Sequence, residues 1–426
     1  MRVLQIGVGG VGEATARIAR QRDPSGEWLE RLVLADYDEA RAAAVAAKLG
    51  DERRFPAVKA DATDARQIEA LIAEHRPDLV MNLEEPKYNP GLMGIALEAR
   101  VHYMDTGSVS SEPHPTDPHH KVGVLLGEKQ WVKKPEWDAT GLMGMLGFGV
   151  EPGMSDFFAR LAEKHLFDEI DEMGARDGGD LHIPGHEGAM FGFNVWSTVE
   201  ECLDPPLVWE KERGHFTTEP FSEPETFWLP EGIGEVEMVN VEHSEAVFFP
   251  RTIGKGLKRA TFKYALGREF IDALKVLQSC NLHSKTPVPF RGGELVPLDA
   301  LAAIVPSPAD TGLAMVGKTA AGTWVTGRKD GLERQVYLYQ VADNEECVER
   351  LGCQAVVAQT AFTSVIVWEL MAAGRWDYPG LRTPEMCEPE AYVALMAEYG
   401  FAPGLLEMDS EYKERADAAT FAGLVR

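Results

Sequence analysis

Arg2-Val-Leu-Gln-Ile-Gly-Val-Gly-Gly-Val-Gly-Glu13 is the stretch from which the fold of this chain is read. Val3 to Ile6 is a short apolar run, Gly7, Gly9 and Gly12 supply G-x-G-x-x-G, and Glu13 to Arg22 continues at helical spacing. The pattern is strand, turn, helix. The first glycine of such a turn permits the tight reversal, the second lets backbone approach a pyrophosphate, and the third packs helix against strand. Unpaired N–H groups at the helix start then face the phosphates, which adds Gly10 and Val11 to the cradle. A second apolar run, Arg31 to Ala35, ends in Asp36, where an acidic residue is expected to hydrogen-bond an adenosine ribose. This context predicts dinucleotide binding.

Outward from that unit, strand and helix patterns alternate. A helix at Glu39 to Leu49, a strand around Val58 to Ala60, a helix at Asp64 to Glu74, a strand at Leu79 to Asn82, a helix near Gly91 to Arg100 and a strand at Val101 to Met104 follow. Such alternation predicts an α/β, Rossmann-type doubly wound parallel sheet. Ligands of such sheets sit beyond the carboxyl ends of the strands, which aligns Gly7 to Gly12, Asp36, Asp61, Asn82 to Pro86 and Asp105 to Gly107 along one crevice. Residues 108 to 121 read as a solvated Pro-, His- and Ser-rich loop, and His114, His119 and His120 lack metal-ligand spacing, so no metal is expected.

From about residue 128 the style changes. Leu142 to Gly147 reads as a strand, Gly149 to Gly153 as a turn and Met154 to Phe167 as an amphipathic helix. Ile170 to Ala175, Glu235 to Val241, Ala260 to Ala265, Gly322 to Thr326 and Gln335 to Val341 read as strands, with a hairpin at Lys329-Asp330-Gly331 and helices at Arg268 to Ser279 and Leu298 to Ile304. Few helices intervene, so a second, α+β substrate domain with a mixed or antiparallel sheet is expected. The expected division is 1–127, 128–345 and a helical 346–426.

Composition excludes several classes. Lys and Arg number 42 against 68 Asp and Glu, a formal charge of −26, which disfavours nucleic acid or an anionic membrane as partner and favours a cationic substrate. Five scattered cysteines without C-x-x-C spacing fit a reducing cytoplasm, and a strand beginning at residue 3 leaves no room for a signal peptide. Cys353 to Ala373 is apolar but interrupted by Gln354, Gln359, Ser364 and Glu369, so a buried helix is expected there. No G-x-S-x-G sequence occurs, which demotes hydrolysis through a serine nucleophile.

A nicotinamide cofactor needs a substrate domain that delivers a carbon atom and a group that moves a proton. Glu151 opens a helix at a glycine-rich strand end, Asp177 lies after a predicted strand with Asp180 and His182, and His243 sits two residues from Glu245. Phe191-Gly-Phe-Asn-Val-Trp-Ser-Thr-Val-Glu-Glu mixes aromatics, an amide and carboxylates, which suits an amine or amino acid held by Asn194 and Glu200. Each has a structural alternative: a helix-start acid, a turn residue, a solvated strand face, or core packing by Phe191, Phe193 and Trp196.

Ile6-Gly-Val-Gly-Gly-Val-Gly, Pro77-Asp-Leu-Val-Met-Asn, Tyr103-Met-Asp-Thr, Gly147-Phe-Gly-Val-Glu-Pro-Gly-Met-Ser-Asp, Glu294-Leu-Val-Pro-Leu and Lys329-Asp-Gly-Leu-Glu-Arg-Gln-Val-Tyr-Leu-Tyr, in this order, resemble the saccharopine dehydrogenase-like family, and within it the carboxynorspermidine (carboxyspermidine) dehydrogenase branch. The resemblance implies a Rossmann domain, an inserted substrate domain, C-terminal helices that pack back on the first domain, a homodimer, and oxidoreduction of a carbon–nitrogen bond. Gly7, Gly9, Gly12 and Asp36 would hold the cofactor. Asn82, Glu84 and Thr106 would line its nicotinamide end, and Glu151, Asp177 and His243 would transfer protons or bind a cation. Where the branch has Ser-Arg after the second strand, this chain has Asp36-Tyr37, so NAD is expected, with NADP as the other possibility. Other departures fall at Glu84-Glu85, Glu151, Asp156, Asp343-Asn344 and Thr360-Ala361. They leave two further readings open: a lysine 6-dehydrogenase-like amino-acid dehydrogenase, and a dinucleotide-binding regulatory protein without turnover.

Overall fold

The computed structural model describes residues 1–415 and 421–424, so the last residues of the expected C-terminal unit lie partly outside the described part. The opening stretch folds as read. Strand β1 (Arg2–Ile6) runs into helix α1 (Gly10–Arg22), and β2 (Arg31–Asp36), β3 (Ala57–Lys59), β4 (Leu79–Asn82), β5 (His102–Asp105) and β6 (Met143–Met145) follow. With the strand Gly380–Arg382 they form one seven-stranded sheet, parallel throughout, in the order Gly380–Arg382, β6, β5, β4, β1, β2, β3. The order reverses between β1 and β4, and that switch point opens a crevice at the strand ends. The sequence placed β6 after its change of style. Tertiary pairing with β5 puts it in the first sheet.

The second sheet is mixed. Glu169–Gly179 lies parallel to Arg259–Tyr264 and antiparallel to Lys318–Lys329, which pairs with Leu332–Asp343 over twelve residues each. Asp330 and Gly331 turn that hairpin with φ of 53° and 77°, the doubly left-handed geometry that tight two-residue loops require. Glu225–Leu229, Leu207–Glu210 and Gly214–Thr217 are additional strands of four or five residues, too short for a repeat period to show in the sequence.

Residues beyond 345 are more than helices. Gly380–Arg382 adds to the first sheet and Pro403–Glu407 pairs with Leu332–Asp343 in the second, so this segment is hydrogen-bonded to both. Helix Ala355–Ala372 is long and apolar enough by composition to cross a membrane, but most of it is buried inside the fold. It packs along α1, where Arg22 Nε meets Glu369 Oε2 at 2.8 Å.

Candidate active site

One cleft of about 770 Å³ lies between the two sheets, with the glycine turn on one wall and carboxylates on the other. On the first wall the sequence dictates geometry directly. Gly7 has φ +101°, and a Cβ there would stand 2.7 Å from the Leu83 carbonyl carbon. At Gly12 a Cβ would stand 2.2 Å from the Gly7 carbonyl oxygen, so α1 approaches β1 only without a side chain. Gly9, by contrast, faces open space, and α1 begins at Gly10 with no side chain capping its first N–H groups. Gln5 Nε2 donates to the carbonyls of Gly7 and Gly12, both at 3.0 Å, and holds the turn closed. A cradle of free N–H groups beside an open glycine fits a pyrophosphate, and a nicotinamide dinucleotide fits the site.

Asp36 ends β2, buried, with Oδ2 accepting from Val8 N and Oδ1 from Asp38 N, each at 2.8 Å. Arg41 lines the cleft and stands 3.8 Å from Asp36. Glu84 and Thr106 also line it. Burial raises the Glu84 carboxyl, with Asp36 and Glu85 adding repulsion. Asn82 is turned inward instead: it donates to Asn89 Oδ1 at 2.6 Å and accepts from Glu84 N at 3.0 Å, so it shapes the loop that carries Glu84. Asp61 is outside the cleft lining, where its carboxylate accepts the N–H and hydroxyl of Thr63.

The facing wall is assembled from four separate segments. Glu151 comes from the turn after β6, where Gly147 (φ +74°) and Gly153 (φ +143°) adopt angles that disfavour a side chain. Its Oε1 accepts from Ser155 Oγ at 2.5 Å and its Oε2 is buried with no protein donor. Asp177, near the end of the Glu169–Gly179 strand, acts on it across the site, two buried carboxyls close enough to perturb one another. Burial and this pairing push Glu151 well above the usual carboxylate range, and burial also raises Asp177. His243 follows the Gly234–Asn240 strand, stacked on Phe262 with ring centroids 3.9 Å apart. Burial pulls its pKa down, but the Glu245 carboxylate bonded to Nδ1, with Glu201 and Asp177 nearby, pushes it up to about 9.

Asn194 and Glu200 line the same cleft with their side chains committed. Asn194 caps the Val195–Leu203 helix by accepting from Ser197 N at 3.1 Å. Glu200 accepts from Ser110 Oγ at 2.9 Å and Lys285 Nζ at 2.6 Å. Ser111 Oγ likewise reaches Glu242 at 2.9 Å, so the loop expected to be solvated is fastened to the acidic wall. The structure adds residues that sequence reasoning passed over. Burial raises Glu201 to about 7 and Glu242 to about 8, and both line the cleft beside Tyr264. Glu201 stood next to the chosen Glu200 and Glu242 next to His243, but no spacing rule picks one of two adjacent acids.

Among the described residues, eight carboxylates line the cleft against two cationic side chains, Arg41 and His243. No group of three or more His, Cys, Asp or Glu with metal-holding geometry occurs among them. Such a concentration of carboxylates is complementary to ammonium groups.

Family models match nearly the whole chain: the saccharopine dehydrogenase NADP binding domain at residues 3–145 and the saccharopine dehydrogenase C-terminal domain at residues 149–401. A carboxynorspermidine synthase of Vibrio alginolyticus is 28% identical over 414 residues, covering 94% of this chain and 95% of the relative. A carboxyaminopropylagmatine dehydrogenase of Synechocystis is 29% identical over 409 residues, covering 94% and 96%. Among solved structures, saccharopine dehydrogenase (L-Glu forming) from Saccharomyces cerevisiae superposes with a TM-score of 0.67 at 14% identity, over 96% of this chain and 100% of that one. Homospermidine synthase from Legionella pneumophila, solved with NAD, gives 0.67 at 13% identity over 96% and 91%.

Proposed function

This chain belongs to the saccharopine dehydrogenase family and is an NAD(P)-dependent oxidoreductase, and from that premise we propose that it makes or breaks a carbon–nitrogen bond in a polyamine conjugate or amino acid. The observation that carries the reading is the pairing, in one cleft, of a glycine cradle with a wall of buried carboxylates. When bound, the nicotinamide cofactor supplies or accepts the hydride. The rest falls to the chain. N–H groups at the start of α1 hold the pyrophosphate, and Asp36, fixed by Val8 and Asp38, faces the ribose hydroxyls. Its charge repels a 2′-phosphate, which favours NAD, while Arg41 beside it is the group through which NADP would be accommodated.

On the facing wall, Glu201 and Glu242 attract the amine as they ionise, above about pH 7 and 8, and Glu151 with Asp177 takes or returns the proton that changes the nitrogen between imine and amine. His243 donates from its cleft-facing nitrogen. The carbonyl partner of the reductive direction is an aldehyde or ketone that condenses with the amine. The relatives named above for carboxynorspermidine and carboxyaminopropylagmatine support a polyamine conjugate. A regulatory dinucleotide binder would need no such convergence of polar groups.

The test follows NADH and NADPH absorbance in parallel, with amino acids and polyamines in the oxidative direction and aldehyde–amine pairs in the reductive one. Turnover with NADH preferred is expected. Cofactor binding without turnover across the whole panel would overturn the reading, and an NADPH preference would overturn the role given to Asp36.

A further inference from the structure

Behind His243, on the side away from the substrate, lies a group of carboxyls that the reaction outlined above leaves unused. Glu245 opens the Glu245–Thr252 helix and is fully buried. One oxygen meets His243 Nδ1 and the other, Oε1, has no partner. Asp156 and Glu385 share that interior. Asp156, 2% exposed, accepts from Gly153 N at 2.6 Å. Glu385, fully buried, accepts from Thr383 Oγ1 at 2.6 Å and Thr252 Oγ1 at 3.2 Å, with Oε2 unpartnered. Three carboxyls in one dry pocket cannot all ionise. Burial and the neighbouring Glu245 carboxylate raise both Asp156 and Glu385.

The ring of His243 is constrained on two sides. It lies flat on Phe262, at an interplanar angle of 14°, and its Nδ1 is taken by Glu245, so Nε2 is the nitrogen left for the cleft. Titratable groups also act on the ring from other elements: Asp177 on the Glu169–Gly179 strand and Glu201 on the Val195–Leu203 helix. Glu245, and neither Asp177 nor Glu201, is bonded to the imidazole.

We propose that Glu245 is a positioning residue for His243: its buried carboxylate fixes the ring plane, keeps the proton on Nδ1 and favours the imidazolium that presents Nε2–H to the substrate. The inference rests on the reading of this cleft as the reaction site, but its central claim concerns the His243 proton and needs no substrate to check.

The experiment titrates the histidine Cε1–H resonances of the full chain by NMR, with His243→Asn identifying one signal among 11 histidines. In Glu245→Gln the His243 midpoint is expected to fall by about one pH unit or more, the effect of losing an adjacent opposite charge. Asp156→Asn is expected to leave that midpoint in place, because it removes no charge. Glu245→Asp, which lengthens the contact without abolishing it, should fall between wild type and Gln; if the Gln variant does not fold, a downward shift in the Asp variant decides. An unchanged midpoint in Glu245→Gln, or equal shifts in Glu245→Gln and Asp156→Asn, would overturn the proposal. Once a turnover substrate is in hand, the pH profile of kcat/KM should move with the midpoint. Absence of turnover with the titration as expected would count against the functional reading alone.

Discussion

At the head of α1 the polar groups that face the cleft belong to the backbone, whereas across the cleft they belong to side chains drawn from four segments. The first wall uses glycines, a capless helix start and carbonyls pinned by Gln5, so its chemistry follows from chain geometry. The second uses Glu151, Asp177, Glu201, Glu242 and His243, whose chemistry comes from burial and from one another. The pyrophosphate cradle is made of backbone groups that do not titrate. The facing wall is made of groups whose charge changes nearer neutral pH than that of ordinary carboxylates.

The comparison breaks most visibly at Gly12. Gly12→Ala places a methyl 2.2 Å from the Gly7 oxygen, within a turn that has no slack. A stability loss of about 3 kcal/mol and loss of measurable NADH binding are expected, read by thermal melts and fluorescence titration. On the opposite wall, Glu151→Gln should lower kcat roughly a hundredfold, within the range for general acid–base groups, while the NADH Kd stays unchanged. Equal turnover would remove Glu151 from the site, and a weakened Kd would mean that the two walls are not separable.

The smallest effect concerns stability. Burial raises Glu242 from 4.5 to about 8, with Asp204 adding repulsion, so the folded chain holds a proton there that the unfolded chain releases. Its stability cost is absent below pH 4.5, grows as pH rises and is complete above about 8. Glu242→Gln should therefore match wild type at pH 4.5 and be more stable at pH 8.5, by on the order of 2 kcal/mol, as chemical denaturation would measure. In the same variant, attraction for a cationic substrate should weaken most at the alkaline end, where the wild-type carboxylate is charged.

How much of this was legible in the sequence differs between the walls. The βαβ opening, the run of parallel strands and the hairpin at Asp330-Gly331 carry periodicity and obligatory glycines, which are local properties. A strand such as Leu207–Glu210 carries neither and forms because a partner edge is present. Glu151, Asp177 and His243 could be nominated because each stands near a predicted strand end, but Asn82 also ends a strand and is engaged in local hydrogen bonds, and Glu200 is taken by Ser110 and Lys285. Which acid remains free in a cleft depends on neighbours distant in sequence, such as Lys285 for Glu200 and Ser111 for Glu242.

The sequence by itself determined the dinucleotide cradle, the acidic balance and the change from alternating helices to a mixed sheet, because these rest on glycine sterics, net charge and repeat period within short windows. Only the tertiary structure decided that Glu151 faces Asp177, that His243 lies between Glu245 and the cleft, and that the 108–121 loop is tied to the acidic wall. The physical reason is that a carboxyl group's proton affinity is set by the water it loses and the charges it meets. Both are fixed only when segments far apart in the chain are brought together.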